Sequence, residues 1–450
     1  MVARAVRATT TLGVVAISAQ SVLAQTAASS SRVESAVSQP GQLVLGVAYG
    51  EAARANPRIA AARSLARAAS QRVPSTKRPP DPRLQLGFMN YELPGLTPMD
   101  VIGMTQLELM QMVPVGGKLR LSGDVAESRA AAENERSTDV AWDVRARVAM
   151  AFYDLHAIDQ SLVVAHETLR LLRDVARTAE AMYRVGEGRQ ADVLRAQVEI
   201  ARMTEDTIRM RTMRTAMAAR LNALLDRPAD APVDSPVLPS FPTSLPALDS
   251  LQGVAEIARP MIRAGREDVN AADAAARLAR RELVPDLQLG LQYGQRGGPM
   301  GTERMGSLMI GASVPVFARS RQLPMREEAA AMRRMAEADL AVMRADTRGS
   351  VAESYANLTR SRNLAVLYRR TVIPQAEATV SSALAAYRVG GVDFMTLLDN
   401  RMAVNQYRQE QVRLEADEGR AWAELEMLLG RELFDPNTIA RASTSDGGAR

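Results

Sequence analysis

Cysteine is absent from the 450 residues. Its absence excludes disulfides, thiolate metal centres, a cysteine nucleophile and a cysteine-linked lipid anchor. Histidine is nearly absent too: His156 and His166 stand ten positions apart. At about 100° per residue that spacing puts them on different helix faces, so no metal site is expected. No nucleophile elbow or phosphate loop occurs, and Gly297-Gly298-Pro299 reads as a loop tip. Neither catalytic residues nor a cofactor can therefore be assigned, and an enzyme is not expected. After the N-terminus no apolar run approaches the roughly 18 residues of a membrane helix, which leaves a soluble protein or a membrane β-barrel. Lysine is confined to Lys77 and Lys118. The formal charge of +5 is carried by arginines scattered along helical faces, which is no footprint for nucleic acid.

What is present is a repeat. Tyr183-Arg184-Val185-Gly186 recurs as Tyr387-Arg388-Val389-Gly390, a shift of 204 that also carries Leu224-Leu225 onto Leu428-Leu429. A shift of 203 lays Asn56-Pro57 on Arg259-Pro260, Pro82-x-Leu84-Gln85-Leu86-Gly87 on Pro285-x-Leu287-Gln288-Leu289-Gly290, and Val148, Phe152 and Leu155 on Val351, Tyr355 and Leu358. A shift of 201 lays Val113-Pro114-Val115 on Val314-Pro315-Val316. Ordered landmarks of this kind mark a tandem duplication. Each unit runs helix, strand, strand, long helix, turn, helix.

The expected boundaries follow in chain order. Residues 1–24 carry Arg4 and Arg7, an apolar run and a Val22-Leu23-Ala24 end, the pattern of a secretory signal peptide. Residues 25–42 read as a flexible segment, 43–227 as the first repeat, 228–252 as a proline-rich linker, 253–433 as the second repeat and 434–450 as a disordered tail. In the first repeat a helix is expected from Leu43 to Arg72, ended by Pro74, Pro79, Pro80 and Pro82. Strands follow around Leu84–Phe88 and at Met104–Val113. Between Lys118 and Tyr183 there is no proline, allowing a helix of about 60 residues and about 90 Å. Val144, Ala151, Ile158, Ala165, Leu172 and Ala179 recur every seven residues, as do Val148, Leu155, Leu162, Leu169, Ala176 and Tyr183, which is an a/d stripe. A returning helix makes the pair an antiparallel hairpin. The second repeat predicts strands at Leu287–Tyr293 and Leu308–Val316 and a long helix from Arg321 to Tyr387. Its stripe reads weaker, interrupted by Arg362 and Arg369. Four strands cannot close a barrel alone, so the chain is expected to self-assemble. Periodicity leaves two readings open: a membrane-barrel protein, or a soluble periplasmic coiled-coil protein.

The duplicated unit, the two Y-x-V-G turns followed by Asp192-Val193-Leu194 or Thr396-Leu397-Leu398-Asp399, the Val-Pro-Val strand ends and the Leu428-Leu429-Gly430-Arg431 close resemble the TolC-like outer-membrane efflux proteins over essentially the whole mature sequence. The resemblance implies a mainly α fold with a membrane β-barrel. Three protomers would each give four strands to a twelve-stranded barrel, above a trimeric α-helical tunnel in the periplasm. It implies an exit duct of a tripartite efflux or type I secretion-like system in the outer membrane. Implied partners are outer-membrane lipid, a periplasmic adaptor and an inner-membrane pump of RND type, with heavy-metal cations or drugs as candidate substrates. The alternative is a non-channel periplasmic coiled-coil or adaptor-like protein, although the lipoyl-like modules of adaptors are not visible.

By the same resemblance the two turns form the aperture. Asp399, nine residues after Gly390, matches one gate-ring aspartate of the family; the position of the other is Thr396. Asp192 lies six after Gly186, Tyr183 and Tyr387 open the turns, and Gly186 and Gly390 read as helix caps able to adopt positive φ. Val392 stands where the best-described gate has an arginine latch, so that latch is missing. Met99, Met104, Met110 and Met112 gather around the first strand pair and Met300, Met305 and Met309 around the second. Thioethers suit Cu(I); equally, methionine can replace leucine on lipid-facing and packed surfaces. LELMQMVPVGGKL, from Leu107 to Leu119, loosely resembles metal-efflux branches of the family.

Overall fold

The computed structural model describes residues 41–99, 103–298 and 301–438. The expected signal peptide, most of the expected flexible segment and residues 439–450 lie outside the described residues, as does Met300.

Asn56-Pro57 and Arg259-Pro260 set up the same break twice, because a residue before proline is pushed into extended backbone while proline itself suits the first helical turn. A short strand β1 (Gln42–Val44) leads into α1 (Leu45–Ala55), and α2 (Pro57–Thr76) follows directly. The Asn56 side chain caps α2 by accepting from Arg58 N at 2.9 Å, and its amide donates to Leu224 O at 2.8 Å. The single helix expected from Leu43 is thus a strand and two helices. Of the prolines expected to end it, Pro74 lies inside α2, which continues to Thr76 and stops short of Pro79, Pro80 and Pro82. Thr76 Oγ1 donates to the Val73 carbonyl at 2.9 Å and helps to close that last turn.

Four antiparallel strands form one sheet in the order β2-β5-β7-β8: β2 (Arg83–Met89), β5 (Met104–Val113), β7 (Asp286–Gly298) and β8 (Gly301–Ser313). The minor pair β3 (Tyr91–Glu92) and β4 (Thr97–Pro98) sits in the loop between β2 and β5. Strand β7 runs beyond Tyr293, and β8 spans Gly301–Ser313 rather than Leu308–Val316. Pro315 has no N–H to give a ladder, and Val316 N folds back onto Val314 O at 2.9 Å.

Lys118 starts α3 (Lys118–Arg184) where the sheet ends. It is buried, and its Nζ reaches Val284 O and Asp286 Oδ1, both at 2.8 Å, which fastens the helix to the root of β7. At 67 residues α3 spans about 100 Å. The heptad stripe is its buried face; only Ile158 and Leu162 are half-buried and Tyr183, at the turn, is exposed. α4 (Gln190–Leu224) returns beside it.

The proline-rich segment is more than a linker. Its strand β6 (Ser235–Val237) pairs in parallel with β1, with Leu43 opposite Pro236. A two-stranded ribbon is all edge, so a proline N–H is not missed. His156, buried on α3, donates from Nδ1 to Pro236 O at 3.0 Å. Phe241 stacks on Trp422 with centroids 6.4 Å apart and meets Phe434 edge-on at 5.3 Å. Phe434, placed by sequence in a disordered tail, is half-buried against the core around Trp422, and Thr438 O accepts from Ser240 N. The segment and the C-terminal end together staple the two repeats at mid-height.

In the second repeat α5 (Leu248–Ala258) and α6 (Pro260–Arg281) precede the sheet, and α7 (Gln322–Leu367), α8 (Ile373–Arg388) and α9 (Phe394–Leu429) follow it. The stripe of α7 is complete but spelled with small residues: Leu340, Thr347, Ser354 and Ser361 in one row, Val351, Leu358 and Ala365 in the other, all buried. Arg362 does not interrupt it; its guanidinium reaches Pro242 O. Between α7 and α8 lies a π turn over Tyr368–Val372, where Ile373 N bonds Tyr368 O five residues back. Such a turn holds one extra residue. The repeat shift is 203 over the landmarks Val351 to Leu358 and 204 from Tyr387 onward, so the inserted residue between those landmarks is absorbed here, just ahead of Pro374. Among the described residues no helix is long and apolar enough to cross a membrane.

Candidate aperture and barrel wall

The two turns lie at the end of the hairpins remote from the sheet. Gly186 and Gly390 take φ of +78° and +73°, the left-handed conformation that closes a helix at little steric expense to glycine. Gly186 N reaches Tyr183 O and Gly390 N reaches Tyr387 O, both at 3.1 Å.

The paired tyrosines then diverge. Tyr387 is buried, edge-on to Phe394 at 5.8 Å, while Tyr183 is half exposed. Burial, with the Asp192 charge nearby, pushes the Tyr387 hydroxyl above its ordinary value of 10.0. The structure thus brings Asp192, in the first turn of α4, close to Tyr387 of the other hairpin. Thr396 and Asp399 are exposed on α9. Thr396 is engaged: its N–H donates at 3.0 Å to Asp393, the N-cap of α9, and its hydroxyl donates to the same carboxylate. Those hydrogen bonds hold the Asp393 carboxyl below its ordinary value of 3.8. Asp393 escaped the sequence reading, although Asp393-x-x-Thr396 ahead of an apolar run is a legible N-cap. Further up, Arg408 of α9 ties Glu167 of α3 at 2.7 Å and Glu377 of α8 at 2.5 Å, locking three helices together.

At the other end the sheet has two unlike faces. The rung Leu84, Leu109, Leu291 and Leu308 is typical of one; Gln85, Glu108, Gln292 and Ser307 form a rung of the other. Every Leu, Ile, Val, Phe and Tyr of the four strands falls on the first face. That face is the more exposed: Leu84 is 66% and Ile310 71% accessible. An apolar exposed band backed by a polar face is the pattern of a wall with lipid on one side and water on the other. The strand methionines do not follow the leucines. All six (Met89, Met104, Met110, Met112, Met305 and Met309) lie on the polar face, so replacement of leucine on a lipid-facing surface does not describe them. The edges of β2 and β8 carry no partner strand among the described residues.

These features have counterparts in known proteins. The family model described as outer membrane efflux protein matches residues 48–227 and 252–431. The chain is 22% identical over 326 residues to outer membrane efflux protein BepC of Brucella suis biovar 1, covering 69% of this chain and 68% of that one. It is 22% identical over 324 residues to the cobalt-zinc-cadmium resistance protein CzcC of Cupriavidus metallidurans, covering 71% and 75%. Its fold is similar to the open state of the Neisseria gonorrhoeae outer membrane channel MtrE, with a TM-score of 0.72 at 16% identity over 86% of this chain and 89% of that one.

Proposed function

The chain belongs to the outer membrane efflux protein family and is an outer-membrane channel with a periplasmic helical tunnel; we propose that it is a homotrimeric, passive exit duct, docked to a periplasmic adaptor and an RND-type inner-membrane pump. The observation that carries the trimer is the open sheet. Four strands with one apolar face and two unpaired edges cannot stand in lipid, where every backbone N–H and C=O needs a partner. Three copies, each setting β8 against the β2 of the next, close a ring of twelve strands without an edge. Such a barrel performs no chemistry, in keeping with a family of channels.

The same reading puts the Tyr183 and Tyr387 turns at the narrow end of the tunnel. There Asp192 and Asp399 supply carboxylates in threefold rings, with Thr396 beside them and Gly186 and Gly390 shaping the tips. Acidic rings favour cations, and the likeness to a cobalt-zinc-cadmium resistance protein supports heavy-metal cations as cargo. Mass measurement of the detergent-solubilised chain, with single-channel recording of the same sample, tests the proposal. A trimer mass with steady conductance is expected; a monomer or a dimer would overturn it.

A further inference from the structure

Two glycines of β7 are buried although the strand otherwise alternates between half-buried and exposed positions: Gly290 and Gly294. Glycine in a strand interior weakens the strand and marks a place where something comes close. What comes close here is methionine. A Cβ on Gly294 would lie 2.9 Å from Met104 Sδ, and one on Gly290 would lie 3.2 Å from Met309 Cε. The register puts Met110 and Met309 on either side of Gly290; at Gly294 it puts Met305 on one side and Gln106 on the other, and Met104, opposite Arg296, leans over the glycine from two residues away. Strands stand about 4.8 Å apart, so residues flanking the middle strand are roughly 10 Å apart at Cα. A glycine between them leaves two long thioether side chains free to lean toward one another over it.

Hydrophobic packing does not account for this placement. Methionine used as a leucine substitute would follow leucine, yet the leucines keep entirely to one face and the methionines entirely to the other, among Gln, Glu, Ser and Gly. On a wet polar face a thioether brings a property leucine lacks, a soft uncharged donor. Glu108, between Gln106 and Met110 on this face, adds a carboxylate. Arg296 is the opposing charge beside Met104, and Glu303 pairs with it at 2.7 Å.

We infer that the water-facing wall of the barrel carries two thioether sites per protomer, one at Gly290 formed by Met110 and Met309 and one at Gly294 formed by Met104 and Met305, for soft monovalent cations of the Cu(I) and Ag(I) class. The inference deepens the channel reading and rests on it in one respect, that the polar face lines the lumen. Four residues along a strand separate the sites by about 13 Å, a spacing that suits stepwise passage of an ion between weak stations.

The test uses the purified full chain and Ag(I) in chloride-free buffer, with bound silver counted per protomer by native mass spectrometry or calorimetry. Met110→Leu/Met309→Leu is expected to lose one Ag(I) per protomer, and Met104→Leu/Met305→Leu one more. Met112→Leu, whose residue faces Gln288, is expected to lose none, and Zn(II) uptake is expected to be the same in all variants. Leucine keeps size and apolarity, so the sheet is retained. Unchanged silver counts in both double variants, or an equal loss in Met112→Leu, overturn the sites. The mass of the same samples reads the channel proposal separately: each pair lies within one chain, so a monomer that loses silver as described refutes the trimer and keeps the sites, and a trimer with unchanged counts does the reverse.

Discussion

Gly419 gives the sharpest test of how the two repeats are joined. It sits within α9 facing α3, and a Cβ built on it would lie 2.4 Å from Tyr153 Cε1, against 3.4–4 Å for ordinary contact. The obstacle is the side of a fully buried ring, not a mobile chain end. Tyr153 is 0% exposed and wedged between Phe152, edge-on at 5.4 Å, and Phe241 at 6.1 Å. Relieving the overlap means moving the ring by about 1 Å into packed neighbours, and overpacking of this kind costs about 1–3 kcal/mol. Alanine returns about 1 kcal/mol through its better helix propensity. Gly419→Ala is therefore expected to be destabilising by about 1 kcal/mol. Gly253, inside α5, meets nothing within 4 Å, so Gly253→Ala is expected to be stabilising by about 0.5–1 kcal/mol. The same chemical change thus has opposite signs at two helical glycines, a difference of about 2 kcal/mol. Thermal unfolding of the detergent-solubilised protein, followed by helical circular dichroism, reads it, and Tyr153→Leu in the Gly419→Ala background should remove the penalty. If Gly419→Ala melts as high as Gly253→Ala, the slot for Tyr153 is not what joins α3 to α9.

Leu155, 0% exposed in the stripe of α3, becomes an unpaired buried charge in Leu155→Asp, a loss of several kcal/mol that is expected to abolish assembly; normal trimer in outer-membrane fractions would refute the stripe. Burial raises the carboxyls of Glu426, Glu418 and Asp139 above their ordinary values, which for the glutamates is 4.5. Between the ordinary and the raised value the folded chain binds more protons than the unfolded chain, so stability falls as pH rises through that window. Glu426→Gln keeps an acceptor for Leu433 N, which reaches Glu426 Oε1 at 2.8 Å; it is expected to flatten the decline of melting temperature from pH 4.5 upward, and an unaltered slope would count against Glu426. At the tip, Asp399→Ala is expected to weaken cation preference and block by trivalent cations in single-channel recordings, with conductance kept; unchanged selectivity and block would take Asp399 out of the aperture.

The elements fixed by local chemistry were legible. The heptads of α3, the span of β5 between a proline-rich loop and Pro114, and the glycine turns are each dictated within a few residues of the chain. What escaped depended on distant partners. The α7 stripe reads as weak in the sequence because Thr347, Ser354 and Ser361 are polar by type, and only packing against α9 and α6 explains their burial. The Phe241, Trp422 and Phe434 cluster joins segments far apart in sequence, so prolines and polar neighbours made its edges look like linker and tail. At the tip, Tyr183 and Tyr387 read as equivalents because their motifs are identical. Their unlike surroundings are set by which hairpin each one faces. The methionine positions were visible, but their face was not, since the side of a strand that meets water is decided by register across the whole sheet.

The π turn ahead of Pro374 makes the two hairpins of one chain unequal. One hairpin rests on an unbroken α-helix, α3; the other carries one extra helical residue, held in the π turn between the staple and the tip. In the homotrimer proposed above, six staves would stand with only threefold symmetry, those with a π turn alternating with those without one around the circumference.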